Sequence, residues 1–318
     1  MNVFVAGGTG VLGRATIGAL GEAGHHVRTT ARGDENIKLV RGLGAEPLEV
    51  DLYNAVAVRR AIAGSDAVLR LTTKIPSLLR MGKRGAWTET NRLRTVGAGI
   101  LVEAAILERI PIYVHESVVF VYADGGAEWL DEGARTDDGG TAPLRAALDG
   151  EQEAVRFTQA GGRGIVLRFG GFYGPDAPST LETAQLLRRR MFPQVGRGAN
   201  YLSSIYVADA GRAVADALAV PAGTYNICDD APAPFAEYLQ AVAKSLGAPR
   251  PWRLPAALGP MLFGEMARYL FRSLRVSNRR FREAAGWSPE VTSVSDGWPR
   301  IAAQWGLRTS TAAAGMRR

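Results

Sequence analysis

The stretch MNVFVAGGTGVLG, residues 1–13, decides the fold of this chain. Val3 to Ala6 form a short apolar run that predicts a buried strand. The turn Gly8-x-Gly10-x-x-Gly13 follows, then a helical pattern through Leu20 and a second strand at residues 26–30. Glycines let the backbone turn tightly and approach a pyrophosphate, and a helix N-terminus offers free N–H groups. The stretch therefore predicts a βαβ unit that binds a dinucleotide; a tight turn in an ordinary α/β unit is the plainer alternative.

The end of the second strand bears on which dinucleotide binds. An NAD site has a carboxylate there for the ribose 2′-hydroxyl, whereas an NADP site needs a cation for the 2′-phosphate. Here the strand ends Thr29-Thr30-Ala31-Arg32, and the first acid is Asp34. Arg32, with Arg28 or Thr30 nearby, can hold a phosphate, although it can also be an ordinary solvated arginine. The sequence favours NADPH as the cofactor.

Composition limits the classes of protein and partner. With 318 residues, 47% of them hydrophobic, the chain can bury a full α/β core. The one cysteine, Cys228, excludes an internal disulfide and fits a reducing cytoplasm. The net charge is +7, but the arginines are scattered and accompany no nucleic-acid motif. We expect a cytoplasmic protein with no signal peptide, membrane span, nucleic-acid partner or metal site; protein partners stay open.

Strand-like and helix-like segments alternate along the chain. Further strands are predicted at residues 48–50, 67–71, 112–115, 164–168 and 225–227, and helices at 55–63, 88–107, 144–160, 181–192, 210–220 and 235–246. This spacing predicts an α/β fold with a Rossmann-type, doubly wound parallel sheet. Ligands of such sheets bind beyond the carboxyl ends of the strands. That edge would bring together Thr72, Thr73, Lys74, Ser117, Phe169, Gly170 and Gly171.

The pattern changes downstream and predicts a second region. Residues 1–172, with 203–230 returning to them, form the expected dinucleotide-binding domain. Residues 173–202 and 231–308 form a smaller, mostly helical substrate-binding region, and 309–318 a flexible tail. The apolar stretch 254–274, which contains Met261 and Met266, is either core or a lid over a flat substrate.

Several motifs together resemble the extended short-chain dehydrogenases/reductases, the family of nucleotide-sugar epimerases and NmrA-like proteins. The resemblance covers nearly the whole chain. Residues 7–13 are similar to the TGxxGxxG turn, Asp51-Leu52 to the adenine-contacting Asp, Asn91 to a helix asparagine, 117–122 to SSxxVY, 168–175 to LRPxxVYGP and 207–210 to VxDxA. With the glycine turn and the strand ends, it implies these cofactor-binding residues: Gly7, Gly8, Thr9, Gly10, Val11, Leu12, Gly13, Arg32, Asp51, Leu52, Thr72, Thr73, Ser117, Phe169, Gly170 and Phe172.

The chain departs from this family at the catalytic motif. The family uses the tyrosine of Tyr-x-x-x-Lys as its acid, helped by the lysine and by a serine or threonine hydroxyl. This chain has no lysine between Lys83 and Lys244, and the two positions fall on Pro143 and Ala147. The hydroxyl position falls on Val118, so Ser117 is the remaining candidate contributor. Proline and alanine side chains cannot donate a proton, so we expect no protein acid at the usual places.

Two main functions remain open. The chain resembles atypical ketoreductases of polyketide tailoring, which implies NAD(P)H-dependent reduction of a polycyclic aromatic ketone, angucyclinone-like, with the proton supplied by the substrate. The alternative is a catalytically silent, NmrA-like NADP sensor or scaffold; an epimerase is the weaker third reading. The candidate substrate-pocket residues are Lys74, Val118, Tyr122, Tyr173, Tyr201, Met261 and Met266.

Overall fold

A computed structural model of the chain describes residues 1–83, 85–259, 261 and 270–307. Its main sheet has seven strands, which we number along the chain: β1 (Asn2–Ala6), β2 (His26–Thr30), β3 (Glu46–Leu48), β4 (Ala67–Arg70), β5 (Ile112–Val118), β6 (Arg163–Phe169) and β7 (Gly223–Ile227). The spatial order is β7-β6-β5-β4-β1-β2-β3, and every neighbouring pair is parallel. The strand order reverses between β1 and β4, where doubly wound sheets bind their ligands. The predicted fold class is confirmed.

Helices cover both faces of the sheet. The helices are α1 (Val11–Glu22), α2 (Asp34–Gly42), α3 (Ala55–Ile62), α4 (Thr88–Arg92), α5 (Ala98–Leu107), α6 (Ala142–Gln159), α7 (Pro178–Arg188), α8 (Val207–Asp216), α9 (Phe235–Ser245), α10 (Arg279–Ala285) and α11 (Val294–Gln304). Alternate residues of β1 enter opposite cores: Val3 and Val5 pack on one face, and Phe4 on the other. Because both faces are buried, the strand reads as one continuous apolar run.

Several predicted bounds differ from the structure; the helices expected at 181–192 and 210–220 span Pro178–Arg188 and Val207–Asp216. Two other differences have a physical reason. The strand expected at 48–50 is wrong by two residues, since β3 spans Glu46–Leu48. It contains Pro47, which has no amide to donate and is tolerated because β3 is an edge strand. The helix expected at 88–107 is interrupted by a π-helical segment, Leu93–Gly97, between α4 and α5. Such wide turns are frequent at functional sites.

A smaller, mostly helical region lies next to the seven-stranded sheet and its helices. Its core gathers aromatic side chains around the fully buried Trp298 on α11. The Asp209 carboxylate, at the start of α8, accepts hydrogen bonds from the amides of Glu290 and Val291 at 3.1 and 3.0 Å and so ties this region to the sheet. The predicted tail at 309–318 lies outside the described residues, as do residues 260 and 262–269 of the apolar stretch. Among the described helices, none combines the length and hydropathy that crossing a bilayer requires.

Candidate active site

The glycine turn after β1 is held by two threonines of β2. Thr29 Oγ1 accepts from the Gly8 amide at 3.0 Å and donates to the Val5 carbonyl at 2.7 Å. Thr30 Oγ1 accepts from the Gly7 amide at 3.0 Å. A Cβ at Gly8 would lie 2.2 Å from Thr29 Oγ1. The turn therefore sits so close to β2 that a side chain at Gly8 cannot fit.

The start of α1 fits an anionic ligand. Gly10 caps the helix without any side-chain hydrogen bond to the first amides, and it is exposed. A Cβ at Gly13 would lie 2.1 Å from the Gly7 carbonyl oxygen, so glycine lets the helix approach the turn. Thr9 and Val11 are half-buried beside it, while Leu12 is buried in the core. Free amides at a helix N-terminus are the usual partner of a pyrophosphate.

Two arginines, Arg28 and Arg32, were predicted near the adenosine end of the groove, and one of them has a guanidinium without a partner among the described residues. Arg32 is exposed, and its guanidinium makes no hydrogen bond or ion pair with the described residues. Arg28 is not available, because its guanidinium donates to the Ala63 carbonyl at 2.8 Å and to Ser65 Oγ at 2.9 Å. Asp51 is exposed after β3, and the next residue, Leu52, is buried. Arg32 is therefore the cation of this pair that can meet a 2′-phosphate.

Two buried polar atoms lack partners near the carboxyl end of β4. They are Thr72 Oγ1 and, on α4, Asn91 Oδ1, and neither has a hydrogen-bond partner among the described residues. Buried polar atoms are normally paired, so such orphans indicate a missing ligand or water. Thr73 is half-buried and Lys74 exposed on the same segment. Together with the glycine turn, these atoms fit a dinucleotide lying across the switch point.

The predicted residues at the end of β6 play different roles. Phe169 is fully buried and packs on the half-buried Phe172, with ring centroids 5.2 Å apart. A Cβ at Gly170 would lie 2.9 Å from the Ser203 carbonyl oxygen. Phe169 can therefore offer a ligand only its backbone, and Gly170 is needed for close packing.

Ser117 belongs to a buried ion pair. Its hydroxyl donates to Glu151 Oε1 at 2.6 Å, and Glu151 also accepts from Arg168 Nε and Nη2 at 2.9 and 2.6 Å. Ser117 has no exposed surface. The expectation that this hydroxyl serves substrate or cofactor is wrong, because its proton is committed to Glu151.

Tyr122 and Tyr173 are core residues, so their assignment to the substrate pocket is also wrong. The Tyr122 hydroxyl donates to Asn226 Oδ1 at 2.8 Å, and burial raises the pKa of the phenol to about 12. The Tyr173 hydroxyl donates to the Ser293 carbonyl at 3.1 Å. Both rings are essentially inaccessible. A phenol with a raised pKa and a buried partner is a poor proton donor to a ligand.

The other predicted pocket residues remain accessible or undescribed. Val118 and Tyr201 are half-buried, and Lys74 and Met261 are exposed. Met266 lies outside the described residues. The structure thus leaves these four described side chains as candidates for contact with a substrate.

The two positions of the missing acid motif lie on α6 beside an apolar cluster. Ala147 is 1% exposed and packs with Val121 and Leu144. Trp87 and Phe120 are half-buried against the same cluster. Pro143, one turn before Ala147, is half-buried. The described side chains of this wall are apolar or aromatic and carry no carboxyl, ammonium or phenol group.

Sequence reasoning missed a buried charge network beneath the carboxyl ends of β4 and β5. Arg70 Nη1 lies 3.0 Å from Glu116 Oε2, and Arg94 Nη2 lies 3.8 Å from Glu116 Oε1. All three side chains are nearly inaccessible. His115, also fully buried, is kept neutral because burial and then Arg70 and Arg94 lower its pKa. The sequence does carry a signal for this network, because Arg70 and Glu116 are charged residues within mostly apolar strands.

Comparisons with known proteins agree with this geometry. The model of the NAD dependent epimerase/dehydratase family matches residues 3–228. A 3-diazoavenalumate denitrifying reductase of Streptomyces sp is 35% identical over 315 residues, covering 94% of this chain and 100% of that protein. A 4-hydroxy-2-methyl-3-oxo-4-farnesyl-3,4-dihydroquinoline-1-oxide ketoreductase of Stigmatella aurantiaca is 26% identical over 257 residues, covering 78% and 74%.

Solved structures share the fold at lower identity. Human epimerase family protein SDR39U1 with NADPH superposes with a TM-score of 0.77 at 21% identity, covering 95% of this chain and 99% of that one. DesIV, a dTDP-glucose 4,6-dehydratase from Streptomyces venezuelae with NAD bound, gives the same TM-score and identity, covering 96% and 97%.

Proposed function

Because the chain belongs to the NAD dependent epimerase/dehydratase family and is an NAD(P)-dependent oxidoreductase, we propose that it reduces an aromatic acceptor without an acid from the protein. One observation carries this proposal. The tyrosine and lysine positions hold Pro143 and Ala147, while the nearby hydroxyls of Ser117 and Tyr122 are bonded inside the core. These described positions can therefore help to place the reactants but supply no proton.

The proposed cofactor is NADPH, which supplies a hydride when bound. The turn at residues 7–13 would hold its pyrophosphate, and Arg32 its 2′-phosphate. Asp51 would face the adenine, and Thr72, Thr73 and the backbone of Phe169 and Gly170 the nicotinamide half. The free, buried thiol of Cys228 suits the reducing cytoplasm in which we place the enzyme.

The first proposed acceptor is a ketone on a polycyclic aromatic polyketide of the angucyclinone type. Its reduction adds a hydride to the carbonyl carbon and a proton to the oxygen. A neighbouring phenol in the substrate can give that proton, replacing general acid help that is typically worth about 10²–10⁴-fold. The resemblance to the angucyclinone ketoreductase of simocyclinone biosynthesis and the similarity to a ketoreductase that acts on a quinoline oxide support this acceptor.

The second proposed acceptor is an arene diazonium. It is favoured by the 35% identity to a denitrifying reductase, because the similarity spans that protein's whole length. Replacing dinitrogen by hydride forms one C–H bond, breaks one C–N bond and consumes no proton. An active site without a general acid therefore suits this reaction as well as it suits the ketone.

The test follows NADPH absorbance with two sets of acceptors, hydroxylated polycyclic ketones and hydroxyarene diazonium salts, with NADH in parallel. Deuterium at nicotinamide C4 should appear at the carbinol carbon of a ketone product, or on the ring carbon that lost dinitrogen. Deuterium in either product supports the proposal and identifies the acceptor. NADPH binding without turnover of any member of either set would contradict it and favour the sensor.

A further inference from the structure

Arg94 lies along α6, the helix that lacks the acid motif. It belongs to the π-helical segment, and its carbonyl oxygen would be 2.7 Å from a Cβ added at Gly150. The other end of its side chain reaches Pro143, since Nη1 donates to the Pro143 carbonyl at 3.3 Å. In an α-helix that carbonyl accepts from the amide four residues on, which is the amide of Ala147. The side chain thus runs from Gly150 toward Pro143, along the stretch of α6 that contains Ala147.

We propose that Arg94 places a positive charge where relatives with Tyr-x-x-x-Lys have their lysine, and that Ala147 leaves the room for it. This inference rests on the proposed function, because the lysine position matters only beside a bound nicotinamide. A guanidinium keeps its proton at any physiological pH, so Arg94 is not an acid. It is a positioning residue that stabilises an oxygen carrying or gaining negative charge on the acceptor.

The charges around Arg94 favour such an oxygen. From the sheet it faces Glu116, which also pairs with Arg70, and the buried His115; on α6, Glu151 follows Gly150 and pairs with Arg168. Among the described residues, Arg70 and Arg94 both lie beside Glu116, Arg168 pairs with Glu151, and His115 is neutral. Arg168 Nη1 is buried without an acceptor among those residues. A buried donor without an acceptor suits an anionic oxygen.

The placement is tested first by thermal unfolding, which needs no substrate. Ala147→Lys should lower the Tm of the wild-type chain, because the new side chain meets Arg94. The same substitution should lower the Tm much less in the Arg94→Met background, where the room is free. Equal losses in both backgrounds would overturn the placement. This double-mutant cycle measures only Tm values and can be carried out whether or not any acceptor is reduced. A negative result in the cycle is therefore distinguishable from a failure of the proposed function.

The charge is tested by the pH dependence of kcat/KM with the acceptor that turns over. Arg94→Met should lower kcat/KM by about 10²-fold, the usual loss for one preorganised donor. The Arg94→Met/Ala147→Lys double variant should recover about tenfold of this and lose it again at alkaline pH. The decline in kcat/KM should begin below the ordinary lysine pKa of about 10.4, because the positive charge of Arg70 lies nearby. The kcat/KM of the wild type should show no such alkaline decline.

Arg145→Met is the matched control on the same helix. Its guanidinium is largely exposed and pairs with Asp138 at 2.9 Å, so kcat/KM and its pH profile should stay within about twofold of wild type. Two outcomes for the Arg94→Met/Ala147→Lys variant would overturn the role of the charge. One is recovery of kcat/KM with no decline at alkaline pH, and the other is no recovery of kcat/KM although the Tm is unchanged.

Discussion

At the scale of single residues, position in a motif did not determine chemical role. Ser117 lies in β5 one residue before the position where the family places a catalytic hydroxyl, yet its proton goes to Glu151. Glu151 in turn is fixed by Arg168 through two hydrogen bonds. A buried carboxylate accepts every donor within reach, because an unsatisfied buried charge is costly.

Ser117→Ala should therefore affect stability more than catalysis. Glu151 would lose one of its buried hydrogen bonds, and we expect the free energy of unfolding to fall by about 1–3 kcal/mol. The loss in kcat/KM should stay below about tenfold, far from the 10²–10⁴ of a general acid. Denaturant unfolding and NADPH oxidation measure the two effects.

Tyr122→Phe is the companion variant, since it removes only the hydroxyl that donates to Asn226. We expect the same pattern from it. A loss of kcat/KM as large as that of a general acid in either variant would show that the proton donor had been overlooked.

At the scale of elements, the β1–α1 turn depends on close backbone approach. Gly13 has the Gly7 carbonyl oxygen where its Cβ would be, whereas Gly18, on the same helix, has nothing within 4 Å. The α8 helix packs equally closely on the other side, because a Cβ at Gly211 would lie 2.5 Å from the Ala15 carbonyl carbon. The helix therefore cannot move away from the turn without pressing into α8.

Gly13→Ala and Gly18→Ala form a matched pair. Gly13→Ala should weaken NADPH binding at least about tenfold and lower the Tm, because the turn must open and overpacking typically costs 1–3 kcal/mol. Gly18→Ala should leave the Kd unchanged and raise stability by up to about 1 kcal/mol, since alanine favours the helix. Fluorescence titration gives the Kd, and equal Kd values would contradict this account of the turn.

At the scale of the whole molecule, the sheet and the C-terminal helices meet at buried acids. Asp229 follows β7, and its amide donates to the Ser204 carbonyl at 2.7 Å. Neither carboxyl oxygen has a partner among the described residues. Burial, and then the charges of Asp230 and Asp209, raise the pKa of Asp229 well above its usual value. The folded chain therefore keeps this carboxyl protonated where the unfolded chain does not.

Asp229→Asn should make the protein more stable at neutral pH. Well below the ordinary aspartate pKa of about 3.9, the carboxyl is protonated in both states and has no pH-dependent cost. As the pH rises above 4, the unfolded state ionises first, and the wild type loses about 1.4 kcal/mol for each unit by which the two pKa values differ. The stability difference between variant and wild type should grow from pH 4.5 to 7.5 in urea unfolding. An equal difference at both pH values would contradict the raised pKa.

The amino-acid sequence by itself determined the doubly wound sheet, the glycine turn and the absence of a Tyr-x-x-x-Lys pair. These follow from local patterns: apolar runs of strand length, glycine spacing and residue identity. Tertiary structure alone decided that β3 begins at Glu46, that Ser117 and Tyr122 are bonded in the core, and that Arg94 donates to the Pro143 carbonyl on α6. Each of these depends on which side chains meet across β5, α6 and the π-helical segment. Hydrogen bonds and ion pairs between residues distant in sequence leave no periodic signal in it.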